Sequence, residues 1–410
     1  MKVAVIGGGA SGMMCAIFLA KNGQDVVLLE KNNSLGKKLL ITGKGRCNVT
    51  NATTGEEFLK NVVHGAKFLI SGERAFNSGD TIAFFENAGV KLKVERGKRV
   101  FPESDNAQTI LNALIYALKK YKVKVRLNSN VQDIVAKDGK VCGVMVNNQN
   151  ETFDAVVVAT GGLSYKTTGS SGDGLVFAQK TGHKIVEPKP ALNGIRVLDK
   201  DIADLAGVSL KNVKIRAKHK EKTIYESEIG EMLFTHVGVS GPIVLTASSF
   251  INRENVDKIE IDFKPALSCE LLLNKINNII KESPTKTLSG LLAVLLPKAL
   301  TAVFASRLNL EPEFKINQLS AQNRKNLVAL LKGLGLAFGG VEDLEYSVIT
   351  SGGVSLNEVS PKDMQSKLVS GLFFIGEVLD LDALTGGFNL QIAFTTAVAC
   401  ANSNFFKGER

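Results

Sequence analysis

The chain opens with four apolar residues, Val3-Ala4-Val5-Ile6, runs through Gly7-Gly8-Gly9-Ala10-Ser11-Gly12, and then changes period. A continuous apolar run of this length fits a parallel strand covered on both faces. After the glycines, Met13, Met14, Ile17 and Ala20 recur at helical spacing, and Asn22-Gly23 is suited to closing that helix. A second apolar run, 26–29, ends in Glu30. The strand pattern returns at 131–136 and 141–146 around an Asp138-Gly139 turn, and at 155–158 before Ala159-Thr160-Gly161-Gly162. It returns again at 372–375 before Gly376-Glu377. A last helix is predicted after Gly386-Gly387, with Leu390, Ala393, Phe394, Ala397 and Val398 on one face.

Between Pro188-Pro190 and about residue 350 the pattern is different. Strand-like stretches at 213–217, 223–226, 232–235 and 259–263 give way to helical periodicity from Ser268. Pro284 interrupts it, Pro297 fits a first helical turn, and Ser320 fits an N-cap. Residues 346–350 read as a returning strand followed by a Gly352-Gly353 turn. The first and last strands belong to one pattern, so the predicted organisation is a discontinuous domain of 1–190 and 351–410. An inserted β-barrel occupies 191–265 and 336–350, and a helical subdomain occupies 266–335. The insertion is expected to form the substrate pocket.

The opening segment carries a chemistry. In G-x-G-x-x-G, Gly7 permits a tight turn, Gly9 leaves room for a pyrophosphate, and Gly12 lets helix and strand pack closely. The free N–H groups of Ala10, Ser11 and Gly12 then face the phosphates with the positive end of the helix dipole. Glu30, 18 residues beyond Gly12, is placed for ribose hydroxyls and would repel a 2′-phosphate. Strand, glycines, helix, strand and terminal acid in that order are far more specific than the glycines alone. The segment 36–51 alternates glycines with Lys37, Lys38, Lys44 and Arg46, which suits a phosphate or an electron-rich ring as well as a solvated loop. The turn Ala159-Thr160-Gly161 and the acids Glu377 and Asp380 sit at strand ends where a dinucleotide can pass.

Composition narrows this little. The 410 residues carry a net charge of +10, without a long basic run interleaved with aromatics; residues 96–99 hold three basic side chains. The charge does not by itself call for a nucleic-acid partner. Five scattered cysteines with no C-x-x-C signal neither a redox dithiol nor a zinc site, and the four histidines do not suggest a metal. The odd cysteine count and the absence of a secretory leader lead us to expect a cytoplasmic protein with no membrane association.

Several longer motifs add a resemblance. They are G-R-C-N-x-T-N at 45–51, G-E-M-L-F-T-H-x-G-x-S-G-P at 230–242, T-S-G-G-V at 350–354 and G-E-V-L-D…T-G-G-F-N-L-Q at 376–391. Together with the opening fingerprint, the chain resembles, over nearly its whole length, the YhiN/BaiN-like (HI0933-type) bacterial NAD(P)/FAD-dependent flavoproteins, also called the aminoacetone oxidase family. The resemblance implies an α/β fold: a glutathione-reductase-like FAD-binding Rossmann domain with an inserted β-barrel and helical subdomain. It implies that Gly7, Gly9, Gly12 and Glu30 hold the ADP half of FAD, with Val131 at adenine through its backbone. It places Arg46, Cys47 and Asn48 near the isoalloxazine, and Glu377 with Gly387, Phe388, Asn389, Leu390 and Gln391 around the ribityl and ring. Phe388 stands where the family more often has Tyr. Lys31, Lys38, Gly45, Ala159, Thr160, Gly161, Gly376 and Asp380 complete the candidate cofactor-binding set.

The expectation is a two-electron FAD-dependent oxidoreductase that passes hydride between a small amine or enone substrate and flavin N5, with positive charge from Arg46 favouring the reduced ring. No second G-x-G-x-x-G is present, so NAD(P)H enters, if at all, as a transient donor. The rivals are an NAD-only dehydrogenase, a flavin-dependent RNA-modifying or RNA-binding protein, and a non-catalytic FAD-binding regulator. No catalytic residue is assigned. His236 reads as a structural histidine bonding the barrel backbone or as an acid/base; Cys47 reads as a small residue packed beneath the ring or as a reactive thiol. His64, His183 and His219 carry no signal. Substrate, electron partner and oligomeric state stay open.

Overall fold

The computed structural model describes residues 1–407. The chain forms two compact units: Met1–Lys189 with Leu344–Arg410, and Pro190–Asp343.

The first unit is built on a five-stranded parallel sheet. We label its strands β1 (Lys2–Ile6), β2 (Asp25–Leu29), β3 (Lys124–Arg126), β4 (Ala155–Val158) and β5 (Leu372–Phe374), with order β5-β4-β1-β2-β3. Val3 pairs with Val26 on one side and Ala155 on the other, and Val156 pairs with Leu372. Val3, Ala4 and Val5, all of β4, and all of β5 are without solvent exposure. That is why these runs are uninterruptedly apolar: both faces of a parallel sheet are covered.

Helix α1 (Ala10–Lys21) follows β1, and α2 (Phe388–Ala401) follows β5. α2 buries Phe394, Ala397, Val398 and Cys400, and its far end is tied to the start of the chain. The Asn22 side-chain amide donates to the Ala401 carbonyl at 2.9 Å and that of Gln24 to Phe406 at 3.0 Å. The hairpin Val131–Lys137 and Lys140–Val146 turns at Asp138 and Gly139, both with positive φ.

Gly352-Gly353 is not a turn. Both glycines lie inside the strand Ile349–Val354, which begins after a short helical turn at Leu344–Tyr346. Their φ values are +102° and +146°, and a Cβ on either would come within 2.5 Å of a carbonyl oxygen, of Glu187 and of Val378 respectively. The glycines serve close backbone approach rather than chain reversal.

In the second unit, strands Ser209–His219, Gly230–Phe234, Gly238–Ser240, Ile195–Val197, Leu334–Val341 and Lys258–Asp262 pair in that order, and the last pairs back with the first. The sheet is therefore a closed antiparallel barrel, with Lys222–Glu226 appended. Ser268 caps Cys269–Glu282 and Ser320 caps Ala321–Lys332, each accepting from the backbone three residues on. Pro297 precedes a 3₁₀ turn that leads into Thr301–Arg307. Barrel and helices share one apolar core, in which Phe263 meets Phe304 edge to face at 5.4 Å. Among the described residues no helix is long and apolar enough to cross a membrane.

Candidate functional site

The carboxyl ends of β1, β4 and β5 share one edge of the first unit. β1 lies between β2 and β4, so the loops leaving β1 and β4 diverge to opposite sides; in parallel sheets that is where a ligand crevice opens. Gly7 has φ +107°, and a Cβ there would lie 2.5 Å from the Ala159 carbonyl oxygen. A Cβ at Gly12 would lie 1.9 Å from the Gly7 carbonyl oxygen. Gly9, the N-cap of α1, has no atom within 4 Å of its Cβ position and provides no side-chain cap. The first intrahelical bond runs from Met13 N–H to Gly9, so the N–H groups of Ala10, Ser11 and Gly12 point out of the helix end towards this open space.

Glu30 is buried at 8% exposure. One carboxylate oxygen accepts from Gly8 N–H at 2.7 Å; the other accepts from Asn32 N–H at 2.8 Å and the Asn32 side-chain amide at 2.7 Å. Ser129 N–H donates to the Glu30 carbonyl at 2.9 Å, which brings Val131 beside it. Lys31 instead reaches Asp173 at 2.6 Å.

A second group converges from distant parts of the chain. Lys38 donates to Glu377 at 2.7 Å and to Ser164 at 2.7 Å. The other Glu377 oxygen accepts from Thr350 N–H at 2.9 Å and from the Ser164 hydroxyl at 3.1 Å. Gly161 stands over this carboxylate, and Gly376 abuts Ser11 of α1. Asp380 N–H donates to the Val354 carbonyl at 3.1 Å. Gly387, with φ +99°, lies against the Thr50 backbone and opens α2. Phe388 packs on Phe58 with centroids 5.9 Å apart, and Leu390 is half-buried. Gly45 has open space around it.

Several side chains are committed elsewhere. The Arg46 guanidinium pairs with Glu95 and Asp105 and lies over the Phe101 ring, 4.2 Å from its centroid. The Arg46 hydrogen bond holds the Glu95 carboxyl below its usual range, and hydrogen bonds from Lys93 first and Arg46 second do the same for Asp105. The Arg46 charge is thus paired with two anions. Asn389 is tied to Ala383, accepting from its N–H at 3.0 Å and donating to its carbonyl at 2.8 Å. The buried Gln391 amide oxygen accepts from Thr50 and Thr81, at 2.6 and 2.8 Å. Of the last two, the backbone at the start of α2 is what remains for a ligand. Cys47 is fully buried and its thiol is pushed up to about 12 by desolvation, so it is a packed neutral group rather than a reactive one. In the second unit, His236 is exposed beside a cavity of about 190 Å³ and makes no hydrogen bond to the barrel among the described residues, so the structural role expected for it is not the one it has.

The residues at this edge fit a dinucleotide. Outward N–H groups, the open space at Gly9 and the carboxylate of Glu30 match a pyrophosphate and a ribose. Elsewhere in this unit the Asn48 side-chain carbonyl and the Thr160 hydroxyl are buried with no hydrogen-bond partner. Buried polar atoms are seldom left so, and a ligand in the crevice would satisfy them.

One pair was invisible to sequence reasoning. His64 Nδ1 lies 2.6 Å from an Asp382 oxygen that also accepts from the Ser351 hydroxyl at 3.0 Å. The two strands Val62–His64 and Asp382–Ala383 that carry the pair are 318 residues apart in the chain. The only available signal was the two acids Asp380 and Asp382 set among otherwise apolar residues 378–384.

Comparison with known proteins agrees with this architecture. The HI0933-like protein Rossmann domain family matches residues 1–403. A ribosomal RNA dihydrouridine synthase of Haemophilus influenzae is 33% identical over 405 residues, covering 97% of each chain. A 3-dehydro-bile acid delta(4,6)-reductase of Clostridium scindens is 30% identical over 404 residues, covering 96% of this chain and 97% of that protein. Among solved structures, the 3-ketosteroid delta1-dehydrogenase of Sterolibacterium denitrificans shares the fold, with a TM-score of 0.52 and 14% identity over 99% of each chain. Matched along almost its whole length, the chain belongs to the HI0933-like Rossmann-domain family of flavoproteins, a family of FAD-dependent oxidoreductases.

Proposed function

We propose that the chain holds FAD along the carboxyl edge of the parallel sheet and reduces a carbon–carbon double bond conjugated to a carbonyl. The observation that carries the first half is the convergence at one edge of the α1 N-terminus, the buried Glu30 carboxylate, the Lys38–Glu377 pair, and the orphaned Asn48 and Thr160 atoms. In this reading the N–H groups of Ala10 to Gly12 hold the diphosphate, and Glu30 and Val131 hold the adenosine. Glu377 and Lys38 hold the ribityl chain, and the backbone N–H groups at the start of α2 face the ring's N1–O2 edge. FAD bound there would supply the two-electron chemistry, a hydride from N5.

The second half takes the enone branch of the sequence expectation. A delta-4 double bond beside a 3-oxo group and the C5=C6 bond of uracil beside its C4 carbonyl are one functional group. Both are electron-poor at the carbon β to the carbonyl, where hydride arrives. The names of these two relatives meet in that group. A free small enone is the first reading. Uridine in RNA is the second, favoured by the net charge of +10, which would draw a polyanion to the surface.

The test is anaerobic. Purified protein is reduced with NADH or NADPH as the transient donor, then mixed with 4-androstene-3,17-dione, 2-cyclohexenone or a ribosomal RNA transcript. Return of the oxidised flavin band with one acceptor class, and loss of that acceptor's double bond, is expected. A colourless protein overturns the FAD reading; a reduced protein that no acceptor reoxidises overturns the enone reading.

A further inference from the structure

We propose that His64, oriented by Asp382, donates the proton that completes reduction of the conjugated double bond; the inference rests on the enone reading above. Asp382 is wholly buried, whereas the His64 side chain retains 24% exposure. A buried carboxylate needs partners, and those of Asp382 include the Ser351 hydroxyl and His64 Nδ1. In this reading Asp382 accepts and the proton shared by the pair sits on Nδ1. The imidazole is thereby fixed in orientation and tautomer, with Nε2 on the side away from the carboxylate and without a protein partner among the described residues.

Its position joins the pair to the groups that face the ring. The segment carrying Asp382 is stapled to the first turn of α2 by two hydrogen bonds between Ala383 and Asn389. On the other side, Ser351 follows Thr350, whose N–H is held by Glu377. A shift of either neighbour would move the imidazole.

The step balances as follows. The β-carbon gains the hydride given up by the reduced flavin, the C=C π bond breaks, and its electrons move towards the carbonyl. The α-carbon then takes a proton from Nε2 of the imidazolium. His64 is left neutral with Nδ1–H still donated to Asp382, and it recovers its proton from solvent. His64 is the catalytic group; Asp382 is a positioning residue.

Full-length His64→Gln protein, loaded with FAD and reduced beforehand, is mixed anaerobically with the acceptor that reoxidises the wild type. Reoxidation is expected to slow by about 10²–10⁴-fold, the usual contribution of a positioned general acid. Reoxidation by dioxygen, which places no proton on carbon, is expected to hold its rate, and added imidazole to restore part of the loss. A His64→Gln rate equal to wild type overturns the inference and leaves the enone reading standing. Wild-type protein that no conjugated acceptor reoxidises overturns both. An independent readout needs neither activity nor the variant: ¹⁵N spectra of the wild-type apoprotein are expected to show neutral His64 protonated at Nδ1. Protonation at Nε2 instead overturns the inference.

Discussion

The glycine turn at 7–12 and the cluster around Glu377 stand at one edge of one sheet, yet they are made differently. The turn is backbone: its donors are main-chain N–H groups, and its specificity is the room left by missing side chains. The cluster is side chain: Lys38, Ser164 and Glu377 come from three separate segments and meet only when the sheet is assembled. A backbone site is fixed once its strand and helix form. A side-chain site needs every contributing segment, and its groups must satisfy one another until a ligand takes their place.

The sharpest way to break this contrast is inside the turn itself. Gly12→Val would drive a side chain into the Gly7 carbonyl, and we expect a loss of more than about 4 kcal/mol and little folded protein, read as yield and thermal midpoint. Gly9→Ala, three residues away, has open space around it, so the fold should stand while FAD affinity falls at least about tenfold, or about 1.4 kcal/mol, by fluorescence titration. Equal effects of the two would erase the distinction between a packing glycine and a ligand glycine. Next in size is Glu30→Gln. It removes a charged acceptor from one buried and two part-buried donors, at about 1.5–3 kcal/mol in the apoprotein by denaturant titration, and weakens FAD binding further. An unchanged midpoint would show that the carboxylate's own contacts are idle. The smallest effect concerns Cys47. With its thiol raised to about 12 it stays protonated at pH 8, so iodoacetamide should label the exposed Cys142 and Cys269 and spare Cys47, by peptide mass spectrometry.

The same contrast explains what the sequence disclosed. Residues 2–30 announce their fold because period, glycines and terminal acid all lie within thirty positions. The barrel and its helical appendix were legible from the switch of period near Ser268, and the cap at Ser320 fell where its local chemistry put it. The ion pairs of Arg46 were not legible because its partners, Glu95 and Asp105, lie some fifty residues on and no local rule pairs them. Gly352-Gly353 was misread as a turn because two adjacent glycines look alike whether the chain reverses or another backbone presses against it. His64–Asp382 was missed outright: a histidine on a three-residue strand has no periodicity to betray its neighbour.

That β5 is spelled so late, from Leu372 in a chain of 410, has a bearing on biosynthesis. While translation proceeds through the barrel, β4 waits with one row of N–H and C=O groups unpaired, an adhesive margin of the kind that recruits stray strands. Until β5 is made that margin stays open, and β5 is what closes it.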